Sequence, residues 1–226
     1  MDNTPKYVVI VAGGNGLRMG TEIPKQFLEL GGIPVLMHTI KKFHDSFSDI
    51  TVKLVLPEIH QDYWQKLCLR YSFTLSHDIV SGGKSRFQSV KNGLESIPSK
   101  EGIVAIHDGV RPFVSKDIIL KSFLVAATSG NATVSVPMKD SIRVIENDVN
   151  RAVDRNSYCI IQTPQTFRLD LIKKAFDIPE LPGFTDDASV FEKAGHKIIL
   201  IEGSYENIKI TTPEDMVLGE VLLKRD

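Results

Sequence analysis

The sequence predicts an α/β fold, a mostly parallel sheet with helices packed on it and one β-hairpin projecting as an arm. Three observations carry that expectation. Tyr7 to Val11 is an unbroken, largely β-branched run, as a strand buried on both faces requires, and a glycine-rich loop follows it. Beyond the loop, short apolar runs alternate with segments whose apolar residues recur at helical spacing, the pattern of consecutive βα units. From Met138 the alternation breaks into two short β-like runs around a polar turn. A chain of 226 residues, 42% of them hydrophobic, can build one sizeable core, so residues 1–226 are read as a single domain with residues 138–160 as its β-arm.

The elements follow in order. Pro34 sits at a first-turn position, and Val35, Leu36, Thr39, Ile40 and Phe43 repeat at helical spacing to about Ser46. Ile50 to Leu56 reads as a strand stopped by Pro57. His60 to Phe73 reads as a helix with Tyr63, Trp64, Leu67, Cys68 and Tyr71 on its apolar face. His38, His44 and His60 lack a partner four residues on and are read as structural or solvated. After Ile79 come a short strand, the Gly82-Gly83 turn and a helix opening near Ser85. Ile103 to Asp108 is a buried strand, Asp117 to Thr128 a helix, and Ala132 to Pro137 a strand. The arm turns at Glu146 to Asn150 and has no core of its own, so a second copy of the chain is its simplest packing partner. Gln162 to Phe167 is extended and fixed by Pro164, and a helix runs from Leu169 to Phe176. Thr185 is expected to cap a helix reaching Gly195. Asp186 and Asp187 then fall in its first turn, which gives both acids a structural reason and makes a metal role the weaker reading. Lys197 to Ile201 and Asn207 to Thr211 read as strands, and Thr212-Pro213 opens the last helix, which ends near Lys224.

Composition limits the function. Lys plus Arg number 27 against 28 Asp plus Glu, so the net charge is −1 and a nucleic-acid binder is not indicated. Any cationic site must be local. No apolar run approaches a membrane span, and the start lacks a secretory signal, so a cytoplasmic protein is expected. Cys68 and Cys159 are too few for a disulfide framework or a zinc site, and each is read as a small half-buried hydrophobe.

The candidate chemistry lies at strand ends. Gly13, Gly14 and Gly16 let the backbone turn sharply and bring N–H groups close to an anion, and Arg18 and Lys25 add cations, a combination suited to a polyphosphate. For the glycines alone, an ordinary βα turn is equally open. A dinucleotide fingerprint fails because Met19 holds its third glycine position, and a P-loop at Gly83-Lys84-Ser85 fails because Asp78 stands where its first glycine belongs. The Gly82-Gly83 turn offers the free N–H groups of a helix start, with Ser89 one turn on. Asp108, at the carboxyl end of its strand, can hold Mg²⁺, accept from a ribose hydroxyl, or simply cap a turn. Arg111 is expected to pair with it. Lys209 is either a snorkelling surface residue or a third cation of the cleft. Arg155, at the base of the arm, is placed to serve a neighbour's site.

Taken together, GxxxRMGxxxPKQ from Gly14, GGxxRxxSV from Gly82, HDxxRP from His107, VDRN from Val153, TPQxF from Thr163, TDDAS from Thr185 and NIKIT from Asn207 resemble the 2-C-methyl-D-erythritol 4-phosphate cytidylyltransferase family over nearly the whole chain. The resemblance implies a three-layer, Rossmann-like nucleotidyltransferase of GT-A type, working as a homodimer through the arm. It implies transfer of CMP from CTP to a sugar-alcohol phosphate, 2-C-methyl-D-erythritol 4-phosphate, with Mg²⁺ near Asp108. Arg18 and Lys25 would act on the triphosphate. Ala12, Gly13, Gly14, Gly16, Gly82, Gly83, Ser89 and Asp108 would bind CTP, while Arg155 and Lys209 would take the acceptor phosphate and Arg111 and Thr163 shape its pocket. Lys84 stands where an acidic residue is common in the family. The related ribitol-5-phosphate cytidylyltransferases share the first loop, HDxxRP and NIKIT, and a non-catalytic nucleotide-binding regulator of the same fold is the third reading.

Overall fold

The computed structural model describes residues 4–14 and 23–225. Strand β1 (Lys6–Val11) is followed by a 3₁₀ turn (Lys25–Phe27), a small pair β2 (Glu29–Leu30) and β3 (Ile33–Pro34), helix α1 (Val35–Ser46), β4 (Thr51–Leu56), α2 (Glu58–Arg70), β5 (Asp78–Ser81), α3 (Arg86–Glu95) and β6 (Ile103–Asp108). The second half runs α4 (Lys116–Ser129), β7 (Asn131–Pro137), the arm strands β8 (Arg143–Glu146) and β9 (Val149–Ala152), β10 (Cys159–Arg168), α5 (Leu169–Ala175), α6 (Asp187–Lys193), β11 (Leu200–Glu202) and α7 (Pro213–Leu223).

The central sheet has seven strands in the order β11-β7-β10-β6-β1-β4-β5. All neighbours are parallel except β10, which runs antiparallel to both β6 and β7. Alternation along the strands builds two cores. Val8 and Ile10 of β1 join Leu36, Ile40 and Phe43 of α1, Trp64 of α2 and Phe123 of α4 on one face. Val9, between them, joins Val90 and Leu94 of α3, Ile172 of α5 and Phe191 of α6 on the other. A period of two along β1 therefore accounts for its unbroken apolar character, because each face meets a helical layer. α7 closes a smaller cluster of Leu30, Val35, Val110, Phe113, Ile210 and Leu222.

From β1 the chain steps outward to β4 and β5, then returns through α3 to place β6 on the opposite side of β1. The order thus reverses between β1 and β6, and the carboxyl ends of these two strands open a crevice there. That reversal positions the candidate site.

Several sequence expectations shift. Pro34 is the cap residue ahead of α1 rather than a member of its first turn. α2 begins two residues and ends three residues earlier than read, and Ser72, at φ 50°, turns the chain beyond it. Asp186, not Thr185, caps α6, because its carboxylate accepts from the Ser189 N–H at 2.9 Å while Ser189 Oγ accepts from the Asp186 N–H. Asn207 to Thr211 forms no strand; Ile210 bonds the Val110 carbonyl at 2.9 Å, and its apolar residues fill the α7 cluster instead of a sheet face. Regular pairing near the C-terminus begins only at Leu200. Cys68 is half-buried as expected, but Cys159 is exposed, because it opens β10 where that strand leaves the arm.

Gly93 of α3 shows how tightly the sheet and its helix fit. A Cβ there would lie 2.5 Å from Val9 Cγ1 and 3.0 Å from Val55 Cγ2. Helix propensity alone would make Gly93→Ala stabilising by about 1 kcal/mol, whereas overpacking costs roughly 1–3 kcal/mol. We expect the packing term to win, giving a net loss of stability in urea unfolding; a gain would show that β1 and β4 relax freely.

Candidate active site

Three strand ends frame the crevice. Ala12 continues β1 by donating its N–H to the Val55 carbonyl at 3.0 Å, Gly82 donates to the Leu56 carbonyl at 2.9 Å, and Gly109 donates to the Val11 carbonyl at 2.9 Å. Together they border a cleft of about 520 Å³. Ala12, Gly13, Gly14, Lys25, Gly82, Gly83, Ser89, Asp108 and Lys209 all line it, so nine of the residues singled out from sequence converge there. Gly16 and Arg18 lie outside the described residues.

The Gly82-Gly83 turn is closed by its own hydrogen bonds. Both glycine N–H groups are engaged, Gly82 on the Leu56 carbonyl and Gly83 on Ser89 Oγ at 3.0 Å. Ser89 in turn donates to the Ser85 carbonyl at 2.8 Å, and Ser85 Oγ caps α3 by accepting from the Gln88 N–H at 3.0 Å. The turn is therefore a rigid wall of the cleft. Gly83 has to lack a side chain, since a Cβ would sit 2.2 Å from Gln88 Cγ.

Asp108 is the centre of charge. Its Oδ2 lies 3.0 Å from Lys209 Nζ and 3.1 Å from Arg111 Nε. Burial alone would raise its carboxyl, but Lys209, Arg86 and Arg111 outweigh burial and hold it well below the usual carboxylate range. The expected Asp108–Arg111 pairing is present. Arg111 Nη1 also donates to the Asn207 carbonyl at 2.8 Å, and Asn207 Nδ2 donates to the Thr163 carbonyl at 2.9 Å. These bonds hold the Asn207 segment in place and so deliver Lys209 to the cleft, which settles its two readings in favour of the cation.

Behind Asp108, Thr163 Oγ1 accepts from the Asp108 N–H at 3.1 Å and lies 3.1 Å from His107 Nδ1. His107 Nε2 is 3.1 Å from the Arg111 carbonyl, which can only accept, so Nε2 carries the proton and Nδ1 accepts from the Thr163 hydroxyl. Burial pushes this imidazole down to about 4, which keeps it neutral. Thr163 and Arg111 are thus supports of Asp108, and neither is among the residues that line this cleft. Arg155 is exposed, donates Nη1 to the Lys139 carbonyl at 2.7 Å, and does not line this cleft either.

Sequence reasoning missed Arg86 and its partner. Arg86 lines the cleft at the start of α3 and makes a two-pronged pair with Asp187, Nη1 to Oδ1 at 2.8 Å and Nη2 to Oδ2 at 2.6 Å. Burial pushes the Asp187 carboxyl up, and the guanidinium opposes that rise. A signal was available, since an arginine in the first turn of a helix faces the positive end of the dipole and calls for a reason. Gln26, also in the cleft, donates Nε2 to the Ala12 carbonyl at 2.7 Å and joins the Lys25 turn to the end of β1.

Among the described residues no group of three or more His, Cys, Asp or Glu can cage a metal. The donor set nevertheless fits Mg²⁺, which commonly takes one or two carboxylates plus substrate phosphates. Both ion pairs of Asp108 fall on Oδ2, and among the described residues neither cation is paired with Oδ1.

A neutral His107 has a consequence for stability. Between pH 6.5 and about 4 the unfolded chain binds a proton that the folded chain does not, so stability falls as pH drops through that window, by up to about 3 kcal/mol. Urea unfolding at pH 7, 5.5 and 4.5 should show a steeper decline for the parent chain than for His107→Gln. Equal slopes would mean that the ring is not the group responsible.

The sequence model of the 2-C-methyl-D-erythritol 4-phosphate cytidylyltransferase family matches residues 7–225. A protein of that name from Porphyromonas gingivalis is 49% identical over 220 residues, covering 96% of this chain and 97% of the relative. One from Phocaeicola vulgatus is 47% identical over 218 residues, covering 96% and 99%. Among solved structures, the 4-diphosphocytidyl-2C-methyl-D-erythritol synthase of Anaerococcus prevotii superposes with a TM-score of 0.84 at 29% identity, over 98% of this chain and 97% of that one. The 2-C-methyl-D-erythritol 4-phosphate cytidylyltransferase of Thermus thermophilus gives 0.78 at 29%, covering 98% of each chain. With its cleft at the sheet reversal and a match of this extent, the chain belongs to the 2-C-methyl-D-erythritol 4-phosphate cytidylyltransferase family.

Proposed function

We propose that the chain transfers CMP from CTP to 2-C-methyl-D-erythritol 4-phosphate, giving 4-CDP-2-C-methyl-D-erythritol and pyrophosphate, a step of non-mevalonate isoprenoid synthesis. The observation that carries this reading is the convergence of Lys25, Arg86 and Lys209 with Asp108 on one cleft at the ends of β1 and β6. The chemistry fits that inventory. An oxygen of the acceptor's phosphate attacks the α-phosphorus of CTP, a new P–O bond forms, and the bond to the β-phosphate breaks to release pyrophosphate. The attacking oxygen is already anionic at neutral pH, so neither a general base nor an activated side-chain nucleophile is required. What the reaction needs is alignment of two mutually repelling anions and stabilisation of charge on the leaving group.

Lys25 is buried, with 8% of its surface exposed, and is assigned to the triphosphate, with the Gly13-Gly14 backbone beside it. Lys209 keeps 41% of its side chain exposed while paired to Asp108, so its ammonium can turn to an incoming phosphate. Asp108 would hold Mg²⁺, which would neutralise phosphate oxygens when bound. Arg18, outside the described residues, is assigned to the triphosphate from its motif alone.

The arm carries the partner proposal. β8 and β9 form a separate two-stranded sheet, and Ile145, Val149, Tyr158 and Ile160 are exposed around it. An isolated hairpin of this kind is marginal, and a second copy of the chain would both cover it and bring Arg155 to the neighbour's acceptor. Among the described residues no helix is long and apolar enough to cross a membrane, which is compatible with a cytoplasmic site of action.

Three experiments test this. With CTP and Mg²⁺, pyrophosphate release should be fast with methylerythritol phosphate and slow with ribitol 5-phosphate; the reverse order would transfer the assignment, and CTP binding with no turnover would favour a regulator. Lys25→Ala should retain the parent melting temperature and lose about a hundredfold or more in turnover, the usual effect of removing one such electrostatic donor. Sedimentation across a dilution series should give a dimer that dissociates on weakening the arm, for instance in Ile145→Asp, and a monomer at all concentrations would refute the cross-subunit role of Arg155.

A further inference from the structure

Tyr205 lies in the turn that follows β11, with 41% of its surface exposed, and the root of the arm engages both its ring and its hydroxyl. The hydroxyl donates to the Pro137 carbonyl at 2.6 Å. The Lys139 ammonium sits over the ring, 3.2 Å from its centroid, as a cation–π contact. Pro137 ends β7 and Lys139 lies two residues on, so one side chain grips the stretch where the chain leaves the sheet for the hairpin. Lys139 carries the hold onward, because its carbonyl accepts from Arg155 Nη1 at 2.7 Å. The two legs of the arm are joined at the same level, where the Met138 N–H donates to the Tyr158 carbonyl at 3.3 Å.

The other end of this clasp is anchored in the sheet. Gly203 donates its N–H to the Ser135 carbonyl at 2.8 Å, and Gln162 Nε2, in β10, donates to the Ser204 carbonyl at 2.8 Å. A Cβ on Gly203 would lie 2.6 Å from both Gln162 Oε1 and Val134 Cγ1, so the turn rests directly on β7 and β10. Within it the Asn207 N–H donates to the Ser204 carbonyl at 3.1 Å, and two residues on Lys209 pairs with Asp108 at 3.0 Å. Tyr205 therefore stands between Lys209, reached along the chain, and Arg155, reached across the arm. The arm itself buries little, since all of β9 and all of β8 but Val144 are exposed. A hairpin without a core takes its direction from its root.

We propose that Tyr205, acting with Lys139, is a positioning residue for the acceptor phosphate: the clasp sets the direction in which the arm leaves the sheet and so where Arg155 is presented. This rests on the reading of Lys209 and Arg155 as acceptor-phosphate cations. A guanidinium on a freely swinging hairpin would lose that freedom at each binding event, whereas a root fixed beforehand keeps it near the required place. In a two-fold pair the Arg155 so directed serves the neighbour, and loosening one clasp weakens the other subunit's acceptor site. None of Pro137, Lys139 and Tyr205 lines the cleft, so contacts to CTP are left unchanged.

The test is a double-mutant cycle of Tyr205→Leu and Lys139→Met, with Tyr205→Phe to keep the ring and lose the hydroxyl. The readouts are KM for each substrate, kcat, calorimetric CTP affinity, melting temperature and hydrogen exchange in peptides from residues 138–160. Tyr205→Leu should raise KM for methylerythritol phosphate about fivefold or more, as loss of a cation–π contact and a hydrogen bond implies, with CTP affinity within about twofold of the parent. Exchange in the arm should be faster. Tyr205→Phe and Lys139→Met should each give a smaller rise, and Lys139→Met should add little in the Tyr205→Leu background. A parent-like KM for the acceptor, a parallel rise in both KM values with a lower melting temperature, or fully additive losses would overturn the proposal and leave the clasp a packing contact. If Tyr205→Leu does not fold, Tyr205→Phe and Lys139→Met decide together, since parent-like acceptor KM and arm exchange in both refute the clasp. A parent chain that transfers no CMP to methylerythritol phosphate would instead overturn the functional reading, and unchanged arm exchange in Tyr205→Leu would still refute the clasp by itself.

Discussion

The structure depends on one electrostatic constraint, a carboxylate buried at the end of β6 that must remain charged. Burial opposes the charge on Asp108, and an unpaired ion there would be costly by several kcal/mol. Three separate stretches of chain answer it. Arg111 comes from the turn after β6, Lys209 from the extended segment before α7, and the field of Arg86 from the start of α3. Arg111 and Lys209 are fixed by the acid directly and Arg86 by its own fork with Asp187, and Lys209 and Arg86 present positive charge to the cleft. The cleft is thereby prepared for polyphosphate without a strongly basic surface elsewhere, consistent with a net charge of −1.

A second layer keeps that centre in register. Thr163 receives the Asp108 N–H, His107 is held neutral between Thr163 and the Arg111 carbonyl, and Asn207 joins Arg111 to β10. None of these groups is placed to exchange protons with a substrate. Their contribution is geometric, and a network in which each hydrogen bond has a defined direction suits a reaction governed by alignment rather than by acid–base steps.

Much of this was legible in sequence, and the failures have physical causes. The two-residue period of Val8, Val9 and Ile10 and the helical spacing of Val35 to Phe43 identified the layers, because burial on two faces leaves a local pattern. The direction of β10 was not readable, since antiparallel insertion between β6 and β7 depends on distant partners and not on the strand's own composition. Asn207 to Thr211 has the look of a strand for a misleading reason: Ile210 is apolar because it packs under α7. Motif membership marked Thr163 and Arg111 but not the bonds by which they support Asp108, since those join segments far apart in the chain. The Arg86–Asp187 pair escaped because Asp187 already had a local explanation as a helix-start acid, which hid its long-range one.

One feature of β10 links the arm to the site mechanically. The strand emerges from the arm at Cys159 and, four residues on, reaches Thr163, whose hydroxyl seats both Asp108 and His107. Between Ile161 and Gln165 the pairing of β10 with β7 shifts register, so Thr163 sits at the one irregular step of a strand that the arm and the crevice floor share.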